Sequence, residues 1–267
     1  MGTAQRHVGF FDVHVPRNID FDKPLKFVQA YKPTDIIIGG DFLNLEFASH
    51  WNERVFKEIG FSKLRKLLEN ELHAGKVLLR EVVSASPGAS VYYLPGNHEA
   101  WLYWIALYYP SLGILPKIDV DRLSFKSDLA KMGDKCIADI LKEVLETDKL
   151  NVKVLPYNEP LELGHLTYVH GDQFSTISAS MKMYPNKNIV AGHHHTHQVQ
   201  TLHNAGDMNR ATQHTFVPCM TGLAPGYLKC KSTRWLNGFW VCDILPNGMF
   251  DGRVKKVLGG KVMAPEG

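Results

Sequence analysis

The chain has 267 residues and a mass of 30.1 kDa, enough for one large α/β domain or a domain with an insertion. Its 45% apolar and 21% charged content is that of an ordinary globular protein, and with no uninterrupted run of about 18 apolar residues a spanning helix is excluded. A formal charge of +3 permits a phosphate-bearing partner without demanding one, because nucleic-acid binders usually concentrate their charge far more strongly.

His7 to Val13 reads as a short buried strand and Asp35 to Gly40 as a second. Between them Leu25, Phe27, Val28 and Tyr31 fall at helical spacing after Pro24, a residue suited to a first turn. Strand, helix, strand favours a parallel sheet. A longer amphipathic helix follows, with Leu64, Leu67, Leu68, Leu72, Leu78, Leu79, Val82 and Val83 on its apolar side, and Pro87-Gly88 ends it before a third strand, Ser90 to Leu94.

From Ala100 to Leu150 the alternation lapses. Trp101, Trp104, Ile105 and Tyr108 keep helical spacing, Pro110 and Pro116 break the chain, and Ile137, Ile140, Leu141, Val144 and Leu145 mark another helix. This stretch, 100–150, reads as a helical insertion within a single domain spanning 1–267. Its aromatics could stack on bases, but their spacing favours packing in a core or a homodimer interface. Short strands return at Val152 to Leu155, Leu166 to Val169 and Asn188 to Ala191. The tail reads as antiparallel, at Val199 to Leu202, Thr212 to Val217, Gly238 to Ile244 and Phe250 to Val254, with a turn at Pro246-Asn247-Gly248. Cys136, Cys219, Cys230 and Cys242 show no CxxC spacing, and the polar N-terminus leads straight into a strand. Free thiols in a reducing cytoplasm are expected.

Five motifs carry the chemistry: Asp12-Val13-His14, Gly40-Asp41, Gly96-Asn97-His98-Glu99, His170-Gly171 and Gly192-His193-His194-His195. Each places a metal-binding side chain just after a short apolar run. If the first strand stays extended, Asp12 and His14 point to one side. Asp41 has two oxygens with which to bridge two cations, Asn97 offers a neutral carbonyl oxygen, and His170, His193 and His195 supply imidazole nitrogens. Oxygen and nitrogen donors without thiolate suit Mn, Fe, Zn or Co rather than calcium. Gly96 and Gly192 are explained by backbone turning. Asp172 could orient His170, His50 is a pocket candidate, and His7 and His214 read as ordinary polar residues.

The motifs together resemble the calcineurin-like metallophosphoesterase superfamily, whose signature runs D-x-H, GD, GNH(D/E), H, GHxH. The resemblance spans Phe11 to His195, and the continuation looks like the small uncharacterised phage- and plasmid-type members, from Gly40-Asp41-Phe42-Leu43-Asn44 and Arg234-Trp235-Leu236-Asn237-Gly238-Phe239. It implies a two-sheet α/β sandwich flanked by helices. It also implies two divalent transition-metal ions, Mn first and Fe, Zn or Co as alternatives. One would be held by Asp12, His14, Asp41 and His195, the other by Asp41, Asn97, His170 and His193. His98 would face the substrate as the catalytic residue and Glu99 would orient a neighbour.

Within His193-His194-His195-Thr196-His197, anchoring on Gly192 selects His193 and His195, whereas the common GHTH wording selects His195 and His197. The first is favoured because the pair should follow the glycine that ends the strand. A hydroxide shared by two ions about 3.5–4 Å apart would then attack a phosphate ester in line. Phe42-Leu43-Asn44 stands where the protein phosphatases continue Asp-Arg-Gly, which favours a phosphodiester in a nucleotide or nucleic acid. A phosphomonoesterase is the alternative, and a non-catalytic interaction module a third. The expected setting is cytoplasmic, that of the host if the chain is phage-borne, with no membrane partner.

Overall fold

The computed structural model describes residues 5–49, 60–117, 126–204, 207–223 and 233–263, with the backbone alone at 126–135, 204 and 207–210. His50 and Cys230 lie outside the described residues.

Two sheets face each other. The first holds β1 (Gln5–Phe10), β2 (Asp35–Gly39), β3 (Ser90–Leu94) and β4 (Val152–Val154), all parallel, and is extended beyond β1 by antiparallel β10 (Gly238–Ile244), β11 (Phe250–Leu258) and β12 (Lys261–Val262). The second runs β5 (Leu161–Leu163), β6 (Leu166–Val169), β7 (Asn188–Ala191), β9 (Asp207–Phe216) and β8 (Gln198–Asn204); its three central strands are parallel. The tail is therefore antiparallel in its hairpins, while β9 pairs parallel to β7. This is the α/β sandwich expected.

Strand periodicity decides which core each side chain enters. Val8, Phe10, Ile36, Ile38, Val91 and Tyr93 point to the helical side of the first sheet, and Ile37, Trp240 and Cys242 point between the sheets with Tyr168 and Val190. Full burial of each large aliphatic is worth about 1.5–3 kcal/mol, so these short strands are held by both faces. The helical layer comprises α1 (Asp22–Tyr31), α2 (Phe61–Ala85), α3 (Asn97–Tyr108) and α4 (Lys126–Leu145), whose inward faces share one core. A short α5 (Ile177–Met183) covers the far side of the second sheet, where Phe174, Ile189 and Phe216 form a smaller cluster. The sequence signals neither β5 nor α5, because a three-residue strand and a seven-residue helix are too short to carry a periodic pattern.

In the described residues no helix is long and apolar enough to cross a membrane. Cys136, Cys219 and Cys242 are free. His7 and His214 are fully buried. His7 Nδ1 meets the Tyr168 hydroxyl at 2.8 Å and His214 Nδ1 the Ser180 hydroxyl at 2.8 Å, so both are core histidines held through one ring nitrogen.

Candidate metal centre

The C-terminal ends of β1, β2, β3, β6 and β7 bring all five motifs to one place. Asp12 and His14 do not lie on an extended strand, as their spacing suggests. β1 ends at Phe10, and both residues take left-handed backbone, φ 50° and 52°. Val13 between them turns into the core while its neighbours face the site. The amides of Asp12 and His14 donate to the carbonyls of Gly40 and Asp41, at 3.1 and 2.9 Å, so the two ligand loops are tied by backbone bonds.

The same conformation recurs at Asp41 (φ 47°), His193 (66°) and His195 (56°). Non-glycine residues rarely enter this region, and each one there costs about 1–3 kcal/mol. Five of the seven proposed ligands sit in it.

Two glycines are required by space. A Cβ on Gly96 would lie 2.2 Å from Asp41 Oδ1, and one on Gly40 would lie 2.3 Å from His170 Nδ1. Gly40 also has φ 89°, so there both conformation and room matter. Gly96 has φ −100°, which any residue adopts, so backbone turning does not explain it. Gly192 is likewise a matter of room, with its Cβ position 2.7 Å from Asp12 Oδ2.

Asp41 sits at the start of α3. Its Oδ1 accepts the His98 amide at 2.9 Å, so a carboxylate from the turn after β2 caps the helix of the next motif, where the helix dipole favours negative charge. Its Oδ2 is left facing His170 Nε2 at 3.3 Å and His98 Nε2 at 3.8 Å. His170 Nδ1–H donates to the Gly39 carbonyl at 3.0 Å, which turns Nε2 toward the centre, 3.1 Å from Asn97 Oδ1. That carbonyl, rather than Asp172, orients the ring; Asp172 accepts the Tyr157 hydroxyl at 2.5 Å instead.

On the other side Asp12 takes the His193 amide on both oxygens, at 3.0 and 2.7 Å, and its Oδ1 lies 3.4 Å from His195 Nε2. His195 Nε2 and His14 Nε2 are 3.3 Å apart. Three groupings thus have ligand atoms within 4.8 Å of one another and could hold a metal ion: Asp12, His14 and His195; Asp41, His170 and His193; and His14, Asp41 and His98. Asn97 adds an oxygen to the second through its contact with His170. His194 points away and stacks on Phe216, with ring centroids 4.3 Å apart, and His197 is exposed. The histidine pair brought to the centre is therefore His193 and His195.

Glu99, expected to orient a neighbour, holds the centre together. Fully buried, it accepts the amides of Gly96 (2.7 Å), Asp41 (3.0 Å) and Leu43 (2.9 Å) and the Tyr93 hydroxyl (3.0 Å). The loop beyond is fixed in turn by Glu71 of α2, which accepts the Leu45 amide at 2.5 Å; burial pushes that carboxyl up to about 8.

The electrostatics match the geometry. Burial would raise Asp41, but the charges of His170 and His98 bring it well below its ordinary value. Burial would likewise raise Asp12, and His195 lowers it. Burial pulls His195 and His170 down; Asp12 overcomes this at His195, lifting it to about 10, and Asp41 lifts His170 well above its usual range. His14 goes the other way, to about 3, through burial and the neighbouring His98.

No protein-family model matches the chain, and no curated protein matches it. Solved structures do. A single mutant of Vps29 from Entamoeba histolytica is 10% identical with TM-score 0.45, covering 97% of this chain and 96% of that one. Vps29 complexed with Zn2+ from the same organism is 10% identical with TM-score 0.39, covering 94% and 98%. A dimetal phosphatase from Danio rerio is 9% identical with TM-score 0.41, covering 94% and 96%.

Proposed function

We propose that the chain is a dinuclear metal-dependent phosphoesterase. The observation that carries this is the shared carboxylate: Asp41 stands between the His14 and His170–His193 groups, and Asp12–His195 closes the first of them. The donors fit divalent transition metals. His14 and His195 present Nε2 atoms to each other at 3.3 Å, a contact that one proton can bridge or one cation can take over. Asp12, His14, Asp41 and His195 would hold one ion, and Asp41, Asn97, His170 and His193 the other, with Mn, Fe, Zn and Co all compatible.

When bound, such a pair polarises a phosphoryl group and makes water a nucleophile near neutral pH. The chain's own contribution is positional. Gly39 fixes the His170 tautomer, Glu99 locks the Asp41 loop to the start of α3, and the Asn44 carbonyl receives Nδ1–H of His98. His98 is thereby held with Nε2 toward the centre, where its imidazolium form would give the Nε2 proton to the leaving oxygen and end as the neutral ring still bonded through Nδ1–H.

Within this class we favour phosphodiesters. Phe42 and Leu43, directly after Asp41, are apolar and wholly buried, so neither of these two positions brings a cation to the dianionic end of a monoester. Mn-loaded protein is expected to release nitrophenol faster from bis-p-nitrophenyl phosphate than from p-nitrophenyl phosphate. Much faster release from the monoester would replace the diesterase with a monoesterase, and hydrolysis of neither would leave a binding module.

Metal uptake should also move protons. In the metal-free protein at pH 7 the imidazoles of His195 and His170 are protonated, because their carboxylate partners raise them. Ligation requires both neutral. Loading at pH 7 is therefore expected to release about two protons per chain, with affinity rising as pH increases toward 10. Calorimetry in buffers of different ionisation enthalpy reads this directly; uptake without proton release would contradict the ligand set.

A further inference from the structure

The outer face of α3 is an apolar ledge that begins at the candidate active site. Its inner face carries Leu102, Tyr103, Ile105 and Ala106, all buried. A surface helix ordinarily places polar residues opposite such a face. Here Trp104 and Tyr108 face outward, Trp101 before them is half-buried with one side against the core, and no charged residue occurs between Glu99 and Lys117. Trp104 is 50% exposed and Tyr108 67%, so of the two settings their spacing favours, a core or a homodimer interface, the core holds for Tyr103 and not for these two. Their rings lie nearly parallel, 11° apart with centroids at 5.8 Å. The stripe is continuous with the chemistry: the Trp101 ring lies 4.1 Å from that of His98, which is itself 4.5 Å from His14.

We infer that this ledge is a stacking platform for the bases of a single-stranded polynucleotide whose scissile phosphate lies at the metal centre. The inference rests on the phosphodiesterase reading and names its substrate. The group leaving toward His98 departs onto Trp101, and positions 101, 104 and 108 advance it along the helix by about 1.5 Å per residue. Aromatic faces accept any base, so recognition here is tolerant of sequence. Because the ledge is uncharged, its share of binding is insensitive to salt, unlike that of Lys and Arg contacts to phosphate.

The test compares Mn-loaded wild type with a Trp104→Ala/Tyr108→Ala double variant. Both residues are exposed and neither touches the proposed ligands, so an unchanged thermal melt is expected. KM for a short single-stranded oligodeoxynucleotide should rise about tenfold or more, with kcat held and with bis-p-nitrophenyl phosphate kinetics unchanged. The KM ratio between the two proteins should stay constant from low to moderate salt. Equal oligonucleotide KM values in a pair that still cleave bis-p-nitrophenyl phosphate would overturn the ledge and leave the phosphoesterase standing.

A wild-type dimer in sedimentation that the double variant turns into monomer would assign the ledge to contact between copies and also overturn it. If neither protein hydrolyses any ester, the enzymatic reading fails by itself. The ledge is then judged by the anisotropy of a dye-labelled oligonucleotide: binding weakened about tenfold in the variant upholds it, and equal binding in both proteins, or none in the wild type, sinks it.

Discussion

His98→Ala is expected to keep both ions and to lose about 10²–10⁴-fold in turnover, the usual contribution of a positioned acid or base. The residue stands at the second position of α3, with Nδ1 engaged by the Asn44 carbonyl and Nε2 3.8 Å from Asp41 Oδ2. That distance, together with a grouping in which His14, Asp41 and His98 come within 4.8 Å, admits a rival role as a ligand. The two roles differ in metal content. Full occupancy by elemental analysis with collapsed kcat supports the acid; loss of one ion per chain assigns His98 to the metals. A variant with wild-type rate and full occupancy would remove it from the reaction altogether.

Glu99→Ala should be the most damaging single change to the scaffold, at about 3–5 kcal/mol. It strips one acceptor from three buried amides and a buried hydroxyl, and each unsatisfied donor costs about 1–3 kcal/mol before relaxation and water entry. The three amides belong to Gly96, Asp41 and Leu43, so the loss falls on the joint between two metal motifs. The melting temperature should drop by many degrees and metal affinity should weaken even where the fold survives. Glu99→Gln keeps one acceptor oxygen and should fall between the two. A Glu99→Ala protein with wild-type melting and metal uptake would show that the amides find other partners.

The proposed donors are legible in the sequence because their chemistry is written in residue type and their placement in short apolar runs. β3, β6, β7 and β10 have the residue limits their hydrophobic patterns suggest. The strand before Asp12 does not, since it stops at Phe10 and the ligands lie in the turn beyond. A period-two pattern reports which face a residue takes and is silent on the sign of φ. The role of Glu99 was hidden for a related reason. Its partners are backbone amides, which every sequence contains, so only the folded chain shows how many converge. Trp104 and Tyr108 expose the limit of helical spacing, which groups residues onto faces without saying which face meets water when both are apolar.

At Asp12, His14, Asp41, His193 and His195, glycine would relax the backbone that the present residue strains. Selection for a sturdier empty fold would therefore erode these positions first, and only a benefit conferred by their side chains can hold them in place. The centre is a standing debt of the polypeptide, so a lineage that ceased to use it should lose these five residues ahead of the quiet core around them.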